Sequence, residues 1–359
     1  MKAGYFDERN EKTIEKIRAV CKTLPPYVAE FVVGVQMRTS ALTRLGYVSD
    51  IKTFLEYLLA EKFTQYTDMR AIPLSALETL EAYDFELYLD YLSAYTRNGK
   101  KYRCGAHSKE RKLAGLRTFF KHLYKRDRIA ANVTEKVDMP KVHDKPILYL
   151  EVNEIADLLD MAESGALPGS ERRQRYAQKT RLRDLAILTL FLGTGVRISE
   201  LVGLDTGDLD LKANAVNITR KGGNKSVVYF SDEVRAALKG YLAFRDGEQT
   251  ADTPLGRAIA ETSALFISLK GNRISVRAVE LLVKKYAAAV TPLKKITPHK
   301  LRSTYGTTLY RETQDIYVVA DVLGHNDVNT TKKHYAAVSD EIRRGAANAV
   351  RLRDKRDEK

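Results

Sequence analysis

Between Thr39 and Glu61, apolar residues recur at mixed three- and four-residue spacings: Leu42, Leu45, Tyr47, Val48, Ile51, Phe54, Leu55 and Leu58. That spacing predicts one long amphipathic helix. Leu77 to Tyr95 reads as a second helical stretch, bent or broken near Asp84. Ser108 to Tyr124 reads as a third, with Leu113, Leu116, Phe119, Phe120 and Leu123 turned inward. The periodicity lapses over residues 139–149, where Pro140 and Pro146 stop helices. Beyond that gap, Glu151 to Met161 predicts a helix and residues 164–183 a polar, basic insertion or loop. Asp184 to Leu192 is an apolar helix ending at Gly193-Thr194-Gly195. Val216 and Ile218 alternate with polar residues, Gly222-Gly223-Asn224 makes a turn, and Val227 to Phe230 returns, which predicts a hairpin. Helices are expected at 232–246 and 274–290, with a short strand at 265–269 between them. Thr297-Pro298 sets an N-cap before a proline at the first helical position and opens a helix through Tyr310. Asp315 caps another that stops at Gly324, and Ser339 to Ala349 has the pattern of a short tail helix.

The fold class is therefore mainly α with a small antiparallel β-sheet. A helical domain is expected over 1–141, a linker over 142–149, and a second domain with its tail helix over 150–359. A length of 359 residues suits two domains of ~150 residues or somewhat more.

Charge changes the picture. Sixty Lys and Arg against 46 Asp and Glu leave a net charge of +14, which favours a polyanionic partner. Residues 97–128 hold twelve Lys or Arg, including Arg111, Lys112, Arg117 and Lys121, against Glu110 and Asp127. The stretch suits contact with a DNA backbone; a solvated helix face is the alternative. Two cysteines, Cys21 and Cys104, exclude a disulfide framework and a Cys-rich zinc site, and suit a reducing compartment. No apolar run approaches ~18 residues, and MKAGYFDERNEKTIEK has no apolar signal core. A cytoplasmic protein without a membrane span is expected.

Four places in the second half hold candidate chemistry. They are Arg197 in TGVRISEL, Lys221 in ITRKGGNKS, His299 and Arg302 in TPHKLRSTYGT, and His325 in LGHNDVNTT with Tyr335 ten residues on; Lys225, close to Lys221, is a further DNA-contact candidate. Each has an ordinary reading singly: a surface ion pair, a solvated turn, a helix cap. Together they supply two guanidiniums, one ammonium, two imidazoles and a phenol, with no clustered carboxylates for a metal. Planar Arg forks meet phosphoryl oxygens bidentately. Fixed cations stabilise charge that develops in transfer. An activated phenol can attack, and a Lys can protonate a leaving oxygen. Asp205, Asp208 and Asp210 are close together but read as a polar turn rather than a metal site. GGNKS lacks the junction of a P-loop.

In that order, Arg197, Lys221, His299-x-x-Arg302, His325 and Tyr335 resemble the signature of the tyrosine recombinases, the phage integrase family. A narrower resemblance links LPPYVAEF, IPLSALETL, DLAILTLFLGTGVRISE and ITRKGGNKSVV to the single-recombinase Xer proteins of the XerS type. The resemblance implies that Tyr335 forms a 3′-phosphotyrosine, Arg197 and Arg302 clamp the scissile phosphate, and His325 donates to it. His299 would assist proton movement, and Lys221 would protonate the 5′-oxygen. It implies no cofactor, no metal, a double-stranded recombination site, a homotetramer on two such sites, and an FtsK-type translocase as a further partner. Chromosome dimer resolution at a dif-like site is the implied role. A mobile-element integrase of the same family and a type IB topoisomerase stay open. Two departures stand out. His325 to Tyr335 is one residue longer than usual, about 100° around a helix. Ser303 also stands where many relatives carry a second His.

Overall fold

The computed structural model describes residues 4–97, 99–142, 147–220, 222–250, 252–325, 327–329 and 331. They fall into two compact units, Met1–Lys145 and Pro146–Lys359.

The first unit is built from α1 (Tyr5–Cys21), α2 (Pro26–Gly34), α3 (Ala41–Glu61), α4 (Leu74–Glu78), α5 (Ala82–Tyr91), a hairpin of β1 (Tyr95–Arg97) and β2 (Lys100–Tyr102), and α6 (Ala106–Tyr124). The apolar stripe of α3 is buried from Val48 through Ile51, Phe54 and Leu55 to Leu58, while Leu45 is half-buried and Leu42, at the start of the helix, is exposed. Ser40 caps that helix, its Oγ accepting from the Thr43 amide at 3.2 Å. Aromatic rings fill the centre: Phe54 stacks on Phe85 at 5.0 Å between centroids and meets Tyr88 edge-on at 5.0 Å. The break expected near Asp84 separates α4 from α5, and the Asp84 carboxylate restarts the helix by accepting from the Glu81 amide at 2.7 Å. No apolar alternation marks the β1–β2 hairpin in the sequence. Its residues are polar and basic, and it is tied down by Tyr95 stacking on Tyr102 and by Arg97 donating to Glu56 at 2.9 Å.

The second unit holds α7 (Val152–Ser164), α8 (Glu171–Thr194), α9 (Ile198–Gly203), β3 (Leu209–Asp210), β4 (Ala215–Thr219), β5 (Lys225–Tyr229), α10 (Asp232–Thr250), α11 (Pro254–Ala260), α12 (Val276–Val290), α13 (Pro298–Thr313) and α14 (Ile316–Leu323). The three strands form one antiparallel sheet in the order β3-β4-β5, with Val216 opposite Val228 and Thr219 opposite Lys225. Helix α8 packs against α7, α10 and α13.

Two expectations are corrected here. Residues 171–183 are not a loop but the first half of α8, a single 24-residue helix. Long polar side chains are good helix formers. The inward positions of this half are Ala177, Thr180 and Arg183, a stripe that an apolar search passes over. Residues 265–269 form no strand; two isolated bridges, Asp205 to Ala264 and Ile267 to Arg273, stand in its place. Asp184 explains how a charged stripe can be buried. It accepts from Thr180 at 2.9 Å, Arg183 at 2.8 Å and Lys285 at 2.7 Å, so its charge is matched where water is absent. Among the described residues, no helix is long and apolar enough to cross a membrane. The tail helix expected at 339–349 lies outside the described residues.

Candidate active site

Helix α14 begins with the Asp315 carboxylate accepting from the Tyr317 amide at 2.7 Å and ends at Gly324 in the left-handed conformation, φ 60°. A helix leaves its last four carbonyls without intrahelical partners. Here each has an identified donor. Gly324 N–H donates to Asp321 at 2.8 Å and His325 N–H to Ala320 at 2.9 Å, a Schellman closure. Arg220 donates to Val322 at 3.0 Å and to Leu323 at 2.8 Å. Arg302 also donates to Leu323, and its other terminal nitrogen donates to Gly195 at 2.6 Å. Arg197 donates to the carbonyl of Gly324 itself at 3.1 Å. Three guanidiniums thus converge on one helix C-terminus, where the helix dipole favours positive charge.

Each Arg arrives by a different route. Arg197 is the N-cap of α9. Its amide donates to Glu200 at 2.8 Å and its guanidinium to the other oxygen of the same carboxylate at 2.8 Å. Glu200 is buried, while Arg197 keeps 33% of its side chain exposed. Arg302 sits inside α13 and is only 4% exposed. Arg220 follows β4 and is half-buried. Burial is the main influence on its guanidinium and draws its pKa down, while Glu200 opposes that shift. Gly195, with φ 62°, closes α8. A Cβ there would lie 2.5 Å from the Tyr305 ring, so the close approach of α8 to α13 depends on glycine.

His325 follows the turn, and its Nδ1 is 2.8 Å from the buried hydroxyl of Thr331. His299 lies in the first turn of α13, exposed and one turn before Arg302 on the same face. Ser303, where a second His would stand in many relatives, is buried and its hydroxyl donates to the His299 carbonyl at 3.1 Å. The structure therefore brings Arg197, Arg302 and His325 together at the end of α14. Lys221 and Tyr335 lie outside the described residues. Sequence reasoning missed Arg220, Glu200 and Thr331. Their signals were adjacency to Lys221, the Arg197-x-x-Glu200 capping spacing, and the Thr330-Thr331 pair after LGH.

The basic stretch of the first unit divides. Lys112 is buried against Asp50 at 3.2 Å and so departs from the expected DNA-facing role, because a lysine this deep needs its carboxylate. Arg111 donates to the same carboxylate at 2.7 Å but is largely exposed. Arg117 donates to the carbonyls of Thr134 at 3.2 Å and of Val137. Lys121 is exposed, and with Arg38, Lys125 and Arg126 it lines a basic concavity of about 550 Å³. In the second unit, Lys225 opens β5 and is exposed.

A guanidinium cluster beside an oriented imidazole defines a site for a phosphoryl or other oxyanionic group, on a mainly helical scaffold. Residues 149–341 match the phage integrase family model. The tyrosine recombinase XerC of Syntrophus aciditrophicus is 31% identical over 307 residues, 85% of this chain and 90% of that protein. The tyrosine recombinase XerS of Streptococcus agalactiae is 30% identical over 358 residues, 93% of this chain and 98% of that one. The chain belongs to the phage integrase family of tyrosine recombinases, enzymes that cleave and religate DNA. Solved structures agree on the fold. The XerH recombinase bound to a palindromic difH substrate aligns with TM-score 0.64 and 17% identity over 87% of this chain and 80% of that one. The Tn1549 transposon integrase aligns with TM-score 0.62 and 18% identity over 90% and 99%.

Proposed function

We propose that this chain is a Xer-type recombinase that exchanges strands between two double-stranded dif-like sites and resolves chromosome dimers. The observation that carries the chemistry is the convergence of Arg197, Arg302 and His325 on the end of α14. In this reading Tyr335 attacks the scissile phosphorus and the 5′-oxygen departs with a proton from Lys221. Arg197 and Arg302 hold the non-bridging oxygens. In the tautomer where the Thr331 hydroxyl donates to Nδ1, Nε2 of His325 carries the proton that this reading gives to the phosphate. His299 moves the tyrosine's proton. The ester energy is kept in the phosphotyrosine, and attack by a 5′-hydroxyl restores the diester. The near-full-length match to XerS supports the Xer role, a homotetramer on two sites, and activation by an FtsK-type translocase.

The test is to map the enzyme's covalent complexes on the chromosome of its host. A single locus where replication terminates is the expected result. Capture only at the ends of a mobile element would replace the dimer-resolution role with element excision.

DNA holding by the first unit has its own expected outcome. Lys121→Glu with Lys125→Glu should weaken binding to every sequence alike and lower the salt slope of log K by about 2. Arg117 is spared in this pair because its donors hold backbone carbonyls. Binding that keeps its salt slope would make this concavity a solvated face.

A further inference from the structure

Arg220 is the one arginine at the end of α14 that the catalytic reading leaves without a task. Its backbone is locked in the β4–β5 loop: its amide donates to Asn224 at 2.7 Å and its carbonyl accepts from Gly223 at 3.0 Å. Its side chain leaves that loop and grips two consecutive carbonyls across 102 and 103 residues of chain, those of Val322 and Leu323. The guanidinium lies flat against the turn, since a Cβ on Gly324 would sit 2.4 Å from its Nη1. A surface arginine commonly pairs with a carboxylate; this one is spent on backbone oxygens at the point where His325 leaves the helix. A two-point grip by a planar fork fixes direction as well as distance. The residue after it in the chain is Lys221.

We propose that Arg220 is a positioning residue for strand cleavage: it pins the β4–β5 hairpin to the end of α14, so that the proton donor of the hairpin and the His325 turn keep one frame. The inference rests on the reading of Lys221 as general acid. Without the pin, the hairpin still folds, because its loop bonds are its own. The helix end keeps its Schellman closure and the donors of Arg302 and Arg197. What is lost is the register between hairpin and helix, and a misplacement of about 1 Å can cost about 10²-fold in rate.

The experiment measures single-turnover cleavage at saturating enzyme on two suicide substrates, one with the ordinary 5′-bridging oxygen and one with a 5′-bridging sulfur, whose thiolate leaves without a proton. Arg220→Ala should cleave the oxygen substrate about 10²-fold more slowly than the natural chain and the sulfur substrate within about threefold of it. Arg220→Lys, with one ammonium for two carbonyls, should fall between on oxygen. It also carries the comparison should the alanine variant fold poorly, as thermal melting would show. DNA affinity should hold for both. Equal slowing on both substrates, or no slowing on either, overturns the positioning role. Lys221→Ala runs beside them. If it is rescued by sulfur while the Arg220 variants are not, the general acid stands and the proposal falls. If Lys221→Ala is slowed equally on both substrates, the general-acid reading fails first and the proposal with it.

Discussion

A Tyr335→Phe protein should bind its recombination site with unchanged affinity and form no covalent complex with it. The substitution deletes one phenolic oxygen, and with it the only atom that can carry the phosphoryl group at that position, so chemistry stops while binding energy stays. The measurement is a suicide substrate trapped with enzyme and run on a denaturing gel, against a binding isotherm on the same DNA. The outcome decides more than identity. Tyr335 stands one residue further from His325 than the family spacing, which places it about 100° around if the connection is helical. An adduct that persists in the variant would assign the nucleophile to another residue. A clean loss would mean that the local chain re-aims the ring to accommodate the extra residue.

Arg302→Ala should be the most damaging change within the described site, in two separable ways. It strands the carbonyl of Gly195 and leaves that of Leu323 to Arg220 alone, and a buried unsatisfied group costs about 1–3 kcal/mol, which thermal melting would show. It also removes a fixed donor from the transition state, a loss on the order of 10²–10³ in rate, which single-turnover cleavage at saturating DNA would show. Arg302→Lys restores the charge but not the fork. It cannot span Gly195 on one side and Leu323 on the other, so stability should recover in part and rate hardly at all. Cleavage by Arg302→Ala at the natural rate would remove Arg302 from the chemistry and leave it as a cap shared by α8 and α14.

Local signals in the sequence were reliable where one element settles the matter alone. Asp315 and Gly324 bracket α14 as caps of known chemistry. The apolar spacing of α6 matches what it buries, and that of α3 does so from Val48 onward. The signals failed where a residue's role depends on a partner far along the chain. Lys112 looks like part of a basic surface until Asp50, 62 residues earlier, is found beneath it. Arg220 looks like one more cation in a turn until the end of α14 closes on it. The first half of α8 reads as a loop because its buried side is Ala177, Thr180 and Arg183, and the charge of Arg183 becomes interior only because Asp184, which also pairs with Lys285, neutralises it. The motif residues were legible because the chemistry restricts their identity. Their supports, Glu200 and Thr331, were not, because many residue types can orient an arginine or an imidazole.

The crowded end of α14 also bears on how little has to happen when DNA arrives. Three like charges gathered by the substrate alone would repel one another in the free enzyme and scatter. Here the peptide dipoles of α14 and the carboxylate of Glu200 act as a resident counter-charge. These contacts are intramolecular, so under the proposed mechanism the arginines need no phosphate to hold them together. An incoming diester then meets dipoles already aligned and spends little of its binding energy on turning them. Under the proposed mechanism such a pocket would be primed in advance, and the timing of the reaction would fall to the step that presents the nucleophile.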